Sequence, residues 1–294
     1  MNVFCTTDLL LYLSEFLDDR YSFRLFNTNK TFQSIIKNYS NRYSIKKVVF
    51  NYELYLLYKY KIINYRQHTY DLNYYHYIYN NNTIQNFIIG NNFKGNLEKY
   101  PNNIQKFTFN DTVNRPLINL PDSITELSLC CSFNQYICRS NLPKSLKILN
   151  IYSKKFNQLL NDLPNTITHL TLGYEFNQSL INLPESLIYL NLRECNNLDI
   201  IEFDKLPSNL IKLILPECFD GPIDNLPSKL EYIEFGIWFN HSIDNLPNSI
   251  THIELSSLSF DKKIPDFPKL KKLRLNNCYD LPLNFTNNIE IQID

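Results

Sequence analysis

Apolar positions recur along this chain with two different spacings, and the change between them divides it. From about residue 81 onward, apolar residues come in triplets spaced three and then two apart. They are Ile84/Phe87/Ile89, Ile104/Phe107/Phe109, Ile124/Leu127/Leu129, Leu146/Leu149/Ile151, Ile167/Leu170/Leu172, Leu187/Leu190/Leu192, Leu210/Leu213/Leu215, Leu230/Ile233/Phe235, Ile250/Ile253/Leu255 and Leu270/Leu273/Leu275. A proline stands three residues ahead of most of them, at Pro101, Pro121, Pro143, Pro164, Pro184, Pro207, Pro227 and Pro247, and two ahead in the last, at Pro268. The prolines recur every 20 to 23 residues. A period in that range predicts a solenoid of stacked units, each packed only on its neighbours. Alternation of the last two apolar residues with polar ones predicts a short strand in every unit.

The other half of each unit is patterned too. Phe156-Asn, Phe176-Asn, Phe219-Asp, Phe239-Asn and Phe260-Asp each lie eight residues before a proline. This segment is too short for a full helix and is stopped by proline, so it predicts extended or 3-10 structure on the convex side. Each unit buries about six apolar side chains at ~1.5–3 kcal/mol apiece, against ~1–2 kcal/mol of backbone entropy for each of some twenty residues. A single unit therefore cannot stand alone.

Before residue 43 the spacing is helical. Leu9, Leu10, Leu13, Phe16 and Leu17 recur at three and four, Asp18-Asp19 breaks the run, and Phe23, Leu25, Phe26, Phe32, Ile35 and Ile36 follow. Two or three short helices are predicted, the first capped by Thr7 or Asp8. Between them and the repeats, residues 43–80 hold eleven of the 21 tyrosines, ten of them from Tyr52 to Tyr79, and close on Asn80-Asn81-Asn82. Rings with a polar tip suit a half-buried connector. The expected organisation is a helical domain over 1–42, a Tyr-rich linker over 43–80 and a solenoid over 81–294.

Charge narrows the function. Lys plus Arg and Asp plus Glu are 29 each, so the basic excess of a nucleic-acid binder is missing and no such partner is expected. The apolar run Leu9–Leu13 meets Glu15, Asp18 and Asp19 at once, which fits neither a signal peptide nor a membrane span. Seven cysteines without a Cys-x-x-Cys pair predict free thiols and an intracellular protein, cytoplasmic or nuclear.

No catalytic or cofactor constellation emerges. None of His68, His76, His169, His241 and His252 has a metal-ligand spacing with cysteine or paired carboxylates, so no metal, no cofactor and no enzymatic activity is expected. Cys195, Cys218 and Cys278 fall at one repeat position and read as small buried packers. Gly90, Gly173 and Gly236 end their strands and read as turn residues. What remains is the inner face of the strands. One column there reads Lys106, Glu126, Ile148, His169, Tyr189, Lys212, Tyr232, His252, and its neighbour reads Thr108, Ser128, Asn150, Thr171, Asn191, Ile214, Glu234, Glu254, Arg274. With Tyr152 and Arg193 beside them, the candidates for holding a target protein are Tyr152, His169, Tyr189, Asn191, Arg193, Tyr232, Glu234, His252, Glu254 and Arg274.

The spacing Leu-x-x-Leu-x-Leu is that of leucine-rich repeats. The unit Phe239-Asn-His-Ser-Ile-Asp-Asn-Leu-Pro-Asn-Ser-Ile-Thr-His-Ile-Glu-Leu255 resembles the FNIP repeat of social amoebae and giant amoeba viruses, over roughly residues 81–290. The N-terminal Asp8-Leu-Leu-Leu-Tyr-Leu-Ser-Glu-Phe-Leu17 and Leu25-Phe-Asn-Thr-Asn-Lys-Thr-Phe32 resemble an F-box. Cys5-Thr6 replaces the usual opening Leu-Pro, and Asn29 and Phe32 replace the usual Cys and Trp. Together these resemblances imply a small α-helical F-box-like domain followed by a leucine-rich-repeat solenoid, mostly β and coil, with short parallel strands on its concave face. They also imply the substrate-recognition subunit of a cullin-RING ubiquitin ligase, in the host cell if the chain is viral. Leu9, Leu10, Leu13, Phe16 and Leu17 would then bind the Skp-type adaptor, and the repeats would bind an unidentified target protein. The alternative is a protein-binding repeat module with no ubiquitin role, its N-terminal helices serving as a solenoid cap.

Overall fold

The computed structural model describes residues 47–50, 86–89, 100, 103–109, 114–130, 132–196 and 201–294. The chain divides into two units, Met1–Val113 and Asn114–Asp294. In the first, strands β1 (Lys47–Phe50), β2 (Asn86–Ile89) and β3 (Lys106–Phe109) pair in parallel, with Val48 opposite Phe87 and Phe87 opposite Phe107. β1 lies inside the span read as a linker. Its sequence, Ile45-x-x-Val48-x-Phe50, carries the triplet spacing without a Leu-Pro phrase ahead of it. The helical reading of residues 1–42, with the adaptor-binding candidates Leu9, Leu10, Leu13, Phe16 and Leu17, lies outside the described residues.

The second unit is a parallel β-solenoid. Its strands are β4 (Glu126–Leu129), β5 (Ile148–Ile151), β6 (His169–Thr171), β7 (Tyr189–Asn191), β8 (Lys212–Ile214), β9 (Tyr232–Phe235), β10 (His252–Leu255), β11 (Lys272–Leu275) and β12 (Glu290–Ile293). Each pairs with the next in chain order and in one unbroken register: Leu149 faces Leu170, Leu190 faces Leu213, and Ile253 faces Leu273. The second and third members of every triplet from β4 to β11 are buried. β12 was not foreseen, because polar Asn288 stands where its first apolar residue would be. Ile291 and Ile293 on it are 42% and 62% exposed.

The proline phrase has a backbone role. The N–H of the first triplet residue donates to the proline carbonyl three residues back: Leu146 to Pro143 at 3.1 Å, Leu187 to Pro184 at 2.9 Å, Ile250 to Pro247 at 3.0 Å. In the unit that has lost one residue, Leu270 donates to Phe267 instead, so the turn keeps its length while the proline moves. A second bond couples neighbours: Lys147 and Ile148 both donate to Thr125 O, and Thr251 and His252 both donate to Glu231 O.

The return segments are turns and coil, with one 3-10 turn at Phe203–Lys205 among the described residues. Their phenylalanines form a stack through the core. Phe133, Phe156 and Phe176 follow one another at 6.2 Å, nearly parallel. Phe219, Phe239, Phe260 and Tyr279 continue at 6.3, 6.1 and 5.9 Å. Between Phe176 and Phe219 the stack is broken. Cys195 is buried in that unit, and Phe203 meets Phe219 edge-on at 5.9 Å and 85°. Beside the stack the following polar residue forms a ladder: Asn134 Oδ1 accepts from Asn157 N, and Asn157 Oδ1 from Asn177 N, both at 3.0 Å.

Gly173 and Gly236 open the turns after their strands, as expected: Phe176 N donates to Gly173 O and Phe239 N to Gly236 O. Neither has a positive φ. They are glycine for want of space: a Cβ on Gly236 would lie 2.2 Å from Pro216 O and 2.4 Å from Glu217 O, and one on Gly173 2.7 Å from Ser153 O. Among the described residues the left-handed backbone falls at Asn119 (φ 53°) and Asn225 (φ 59°), where asparagine tolerates it. Of the cysteines read as buried packers, Cys195 is buried, whereas Cys218 and Cys278 are exposed.

Candidate functional site

The face of the second unit's sheet that looks away from the core gathers most of the residues singled out from the sequence. Parallel pairing in one register places equivalent residues side by side, about 4.8 Å apart, so each column becomes a row of touching side chains. The first row runs His169, Tyr189, Lys212, Tyr232, His252 across β6 to β10. His169 and Tyr189 have ring centroids 5.4 Å apart, and Tyr232 and His252 6.1 Å. Lys212 Nζ lies 3.6 Å over the Tyr232 ring and 5.7 Å from that of Tyr189. A cation held on aromatic faces completes an unbroken row.

Both histidines are held in the same way by the preceding threonine. Thr168 Oγ1 donates to Lys147 O at 3.2 Å and contacts His169 Nδ1 at 2.9 Å. Thr251 Oγ1 donates to Glu231 O at 3.0 Å and contacts His252 Nδ1 at 2.8 Å. A hydroxyl has one hydrogen, so the neutral imidazole carries its proton on Nδ1 and leaves Nε2 as an acceptor. Burial lowers the His169 pKa below its ordinary 6.5, which keeps that ring neutral.

The second row holds the charges. Arg193, just past β7, pairs with Glu234 on β9. Tyr232 Oη donates to Glu254 Oε1 at 2.6 Å and lies 3.3 Å from Glu234 Oε2. Arg274 pairs with Glu254 at 3.3 Å and with Asp294. Asn191 Oδ1 accepts from Arg193 N at 3.0 Å, and its Nδ2 donates to Tyr189 Oη at 3.3 Å. Nine of the ten predicted target-binding residues thus join two adjoining networks. Tyr152 stands apart, 52% exposed at the end of β5. Glu234 and Thr171 are 9% and 7% exposed, so this part of the second row is a floor rather than a projecting surface.

Lys212 and Asp294 were missed as site residues. Lys212 is legible as a member of the column, but its seat between two tyrosine rings is not. Asp294 lies in β12's unit, where the triplet is incomplete. Among the described residues no group of three or more His, Cys, Asp or Glu side chains could hold a metal ion, and no helix is long and apolar enough to cross a membrane.

Residues 114–154, 133–175 and 156–195 match the FNIP Repeat family. A stretch of 95 residues is 36% identical to a probable serine/threonine-protein kinase, fnkE, of Dictyostelium discoideum, covering 31% of this chain and 7% of the kinase. Among solved structures, CroV588, described as a novel circular LRR protein, is similar with a TM-score of 0.56 at 30% identity, over 74% of this chain and 38% of that one. YopM from Yersinia enterocolitica aligns at a TM-score of 0.35 and 17% identity, over 72% of this chain and 63% of YopM. The chain spans well under two thirds of the kinase and of CroV588. The match at 114–195 and the register of the strands make the second unit a leucine-rich-repeat-like parallel β-solenoid that contains FNIP repeats.

Proposed function

We propose that this protein is a non-catalytic substrate receptor of a cullin-RING ubiquitin ligase, acting inside the cell. An FNIP and leucine-rich-repeat array is a protein-binding module, and the observation that carries the reading is the row His169–Tyr189–Lys212–Tyr232–His252 with its flanking Arg193, Glu234, Glu254 and Arg274. Aromatic rings and arginines held in place by one another lose little entropy on binding, which is what an interface anchor requires. The row offers an acceptor at His169 Nε2 and ring faces beside it. A folded target protein can meet both with donors and apolar side chains.

The link to ubiquitin rests on the N-terminal resemblance to an F-box, with Leu9, Leu10, Leu13, Phe16 and Leu17 docking on a Skp-type adaptor. A pull-down with the adaptor should retain the native chain and lose Leu13→Asp combined with Phe16→Asp. Failure of the native chain to bind removes the ligase reading and leaves the repeat module. That second reading, a protein-binding solenoid whose N-terminal segment is a cap, is favoured by β1. A repeat-type strand at Lys47–Phe50 follows the N-terminal segment closely in sequence, where a capping element would stand.

A further inference from the structure

The edge formed by the turns after the strands differs sharply between the two halves of the second unit. The third residue past each strand-ending apolar residue occupies one column. In the early repeats that column reads Ser132, Lys154, Glu175 and Cys195, the last of them buried. In the late repeats it reads Cys218, Trp238, Leu258 and Cys278, and all four are exposed, Trp238 by 60% and Leu258 by 57%. The register that sets Ile214 against Glu234, Phe235 against Leu255 and Leu255 against Leu275 carries on into these turns, where Leu258 N donates to Ile237 O at 3.2 Å. Four uncharged, polarisable side chains therefore stand in file along ~14 Å of solenoid, at about 4.8 Å per strand.

Single exposed apolar residues need no explanation, but a contiguous file with the chain's one tryptophan does. Its surroundings are acidic. In the turns 193–196, 216–219, 236–239, 256–260 and 276–280 the charged residues are Arg193, Glu194, Glu217 and Asp280. The Arg193 guanidinium is paired with Glu234 on the open sheet face. Glu194, Glu217 and Asp280 are exposed and form no ion pair among the described residues. In the corresponding early turns Lys154 and Lys155 outnumber Glu175.

We propose that this ridge is a second docking surface, and that its occupant is a basic amphipathic helix of a partner protein. The apolar face of such a helix rises ~10.5 Å from i to i+7, so it can lay residues at i, i+3, i+4 and i+7 along Trp238 and Leu258 between the two cysteines. Its Lys and Arg residues meet Glu194, Glu217 and Asp280 at the rim, which sets orientation and speeds encounter. The acidic rim disfavours an anionic membrane, and it disfavours a second copy of this chain, whose own ridge carries the same charge. The surface is separate from the His–Tyr–Lys row, so a partner here and a target there can be held together.

Trp238 is the only tryptophan, so the full chain reports on its own ridge. Titration with a synthetic Leu/Lys amphipathic peptide should blue-shift the tryptophan emission saturably, and added salt should weaken the effect. Leu258→Asp should weaken binding about tenfold or more through lost burial, and Glu217→Lys should weaken it while admitting the matching Leu/Glu peptide. Circular dichroism of both variants should equal that of the native chain, since both side chains are exposed. An unmoved emission overturns the proposal. So does an equal response to Leu/Lys and Leu/Glu peptides, a blue shift with phosphatidylcholine/phosphatidylserine vesicles but not with peptide, or a dimer in solution that Leu258→Asp dissolves.

Discussion

Tyr232 gives its hydroxyl hydrogen to Glu254 on the neighbouring strand, at 2.6 Å, while Glu234 on its own strand stands 3.3 Å away. Two carboxylates of adjacent strands are thereby held beside one phenol, and each is completed by an arginine. Tyr232→Phe should destabilise the protein by ~1.5–3 kcal/mol, the range for a hydrogen bond to a charged group, as read by the denaturant midpoint. Burial raises the Tyr232 pKa above its ordinary 10.0, helped by the bond to Glu254 and the charges of both carboxylates. A raised pKa means the folded state holds the proton more tightly. The contribution is therefore complete below pH 10 and lost as pH climbs above it. In an absorbance titration, the same variant should remove a tyrosine that ionises well above pH 10.

Gly236→Ala and Gly221→Ala should part company. At Gly236 a methyl group meets carbonyl oxygens of Pro216 and Glu217 at 2.2 and 2.4 Å, and two backbone groups of the adjacent repeat cannot step aside. A loss of ~1–3 kcal/mol is expected. At Gly221 the nearest atoms belong to the Phe219 ring, at 3.1 and 3.2 Å, which can tilt. Melting temperatures of the two variants check the contrast.

Phe239→Ala should cost ~3–5 kcal/mol. Its ring is fully buried, stacks on Phe219 and Phe260, and touches Phe235 at a centroid distance of 4.2 Å. Leu159→Ala, on the same kind of return segment but 47% exposed, should change the unfolding midpoint little.

Cys218 and Cys278 should react with a thiol reagent in the native protein, and Cys195 only after unfolding. Burial pushes the Cys195 thiol from its ordinary 9.0 up to about 12, so it is neither accessible nor ionised. By the same sign as for Tyr232, its contribution to stability is complete below pH 9 and declines between there and pH 12. Counting modified thiols before and after denaturation tests the assignment.

Tyr152→Ala and His169→Ala should leave the melting curve nearly unchanged and reduce recovery of the target in affinity capture. Tyr152 is 52% exposed, so removing it deletes contact surface without opening a cavity.

The strands were legible because burial on one face of a parallel sheet repeats the same two apolar positions in every unit. Leu149 and Ile151, or Ile253 and Leu255, mark their strands unaided. β1 escaped notice because Val48 and Phe50 lack the Leu-Pro phrase and sit beside a tyrosine-rich span, and β12 because Asn288 breaks its triplet. Membership of the open face could be read from alternation, but its pairings could not. Arg193 reaches past β8 to Glu234 because Ile214 and Pro216, lying between, offer no charge to intercept it. Nothing in a twenty-residue period announces a bond that skips a repeat. The Trp238–Leu258 ridge lies in turns, where a residue's exposure follows no apolar periodicity that the sequence displays.

The gap in the ring stack between Phe176 and Phe219 has a mechanical consequence. In an array whose cohesion is a sum over neighbours, cooperativity divides at the weakest junction. Around Cys195 a thiol and an edge-on Phe203 replace the face-to-face rings, worth ~0.5–1.5 kcal/mol per pair elsewhere along the stack. Pulled from its ends, this unit should part there first, like cloth along a seam. The repeats that carry the Trp238 ridge and most of the Tyr232 network would stay whole on one side, while those of the first three phenylalanines come away on the other.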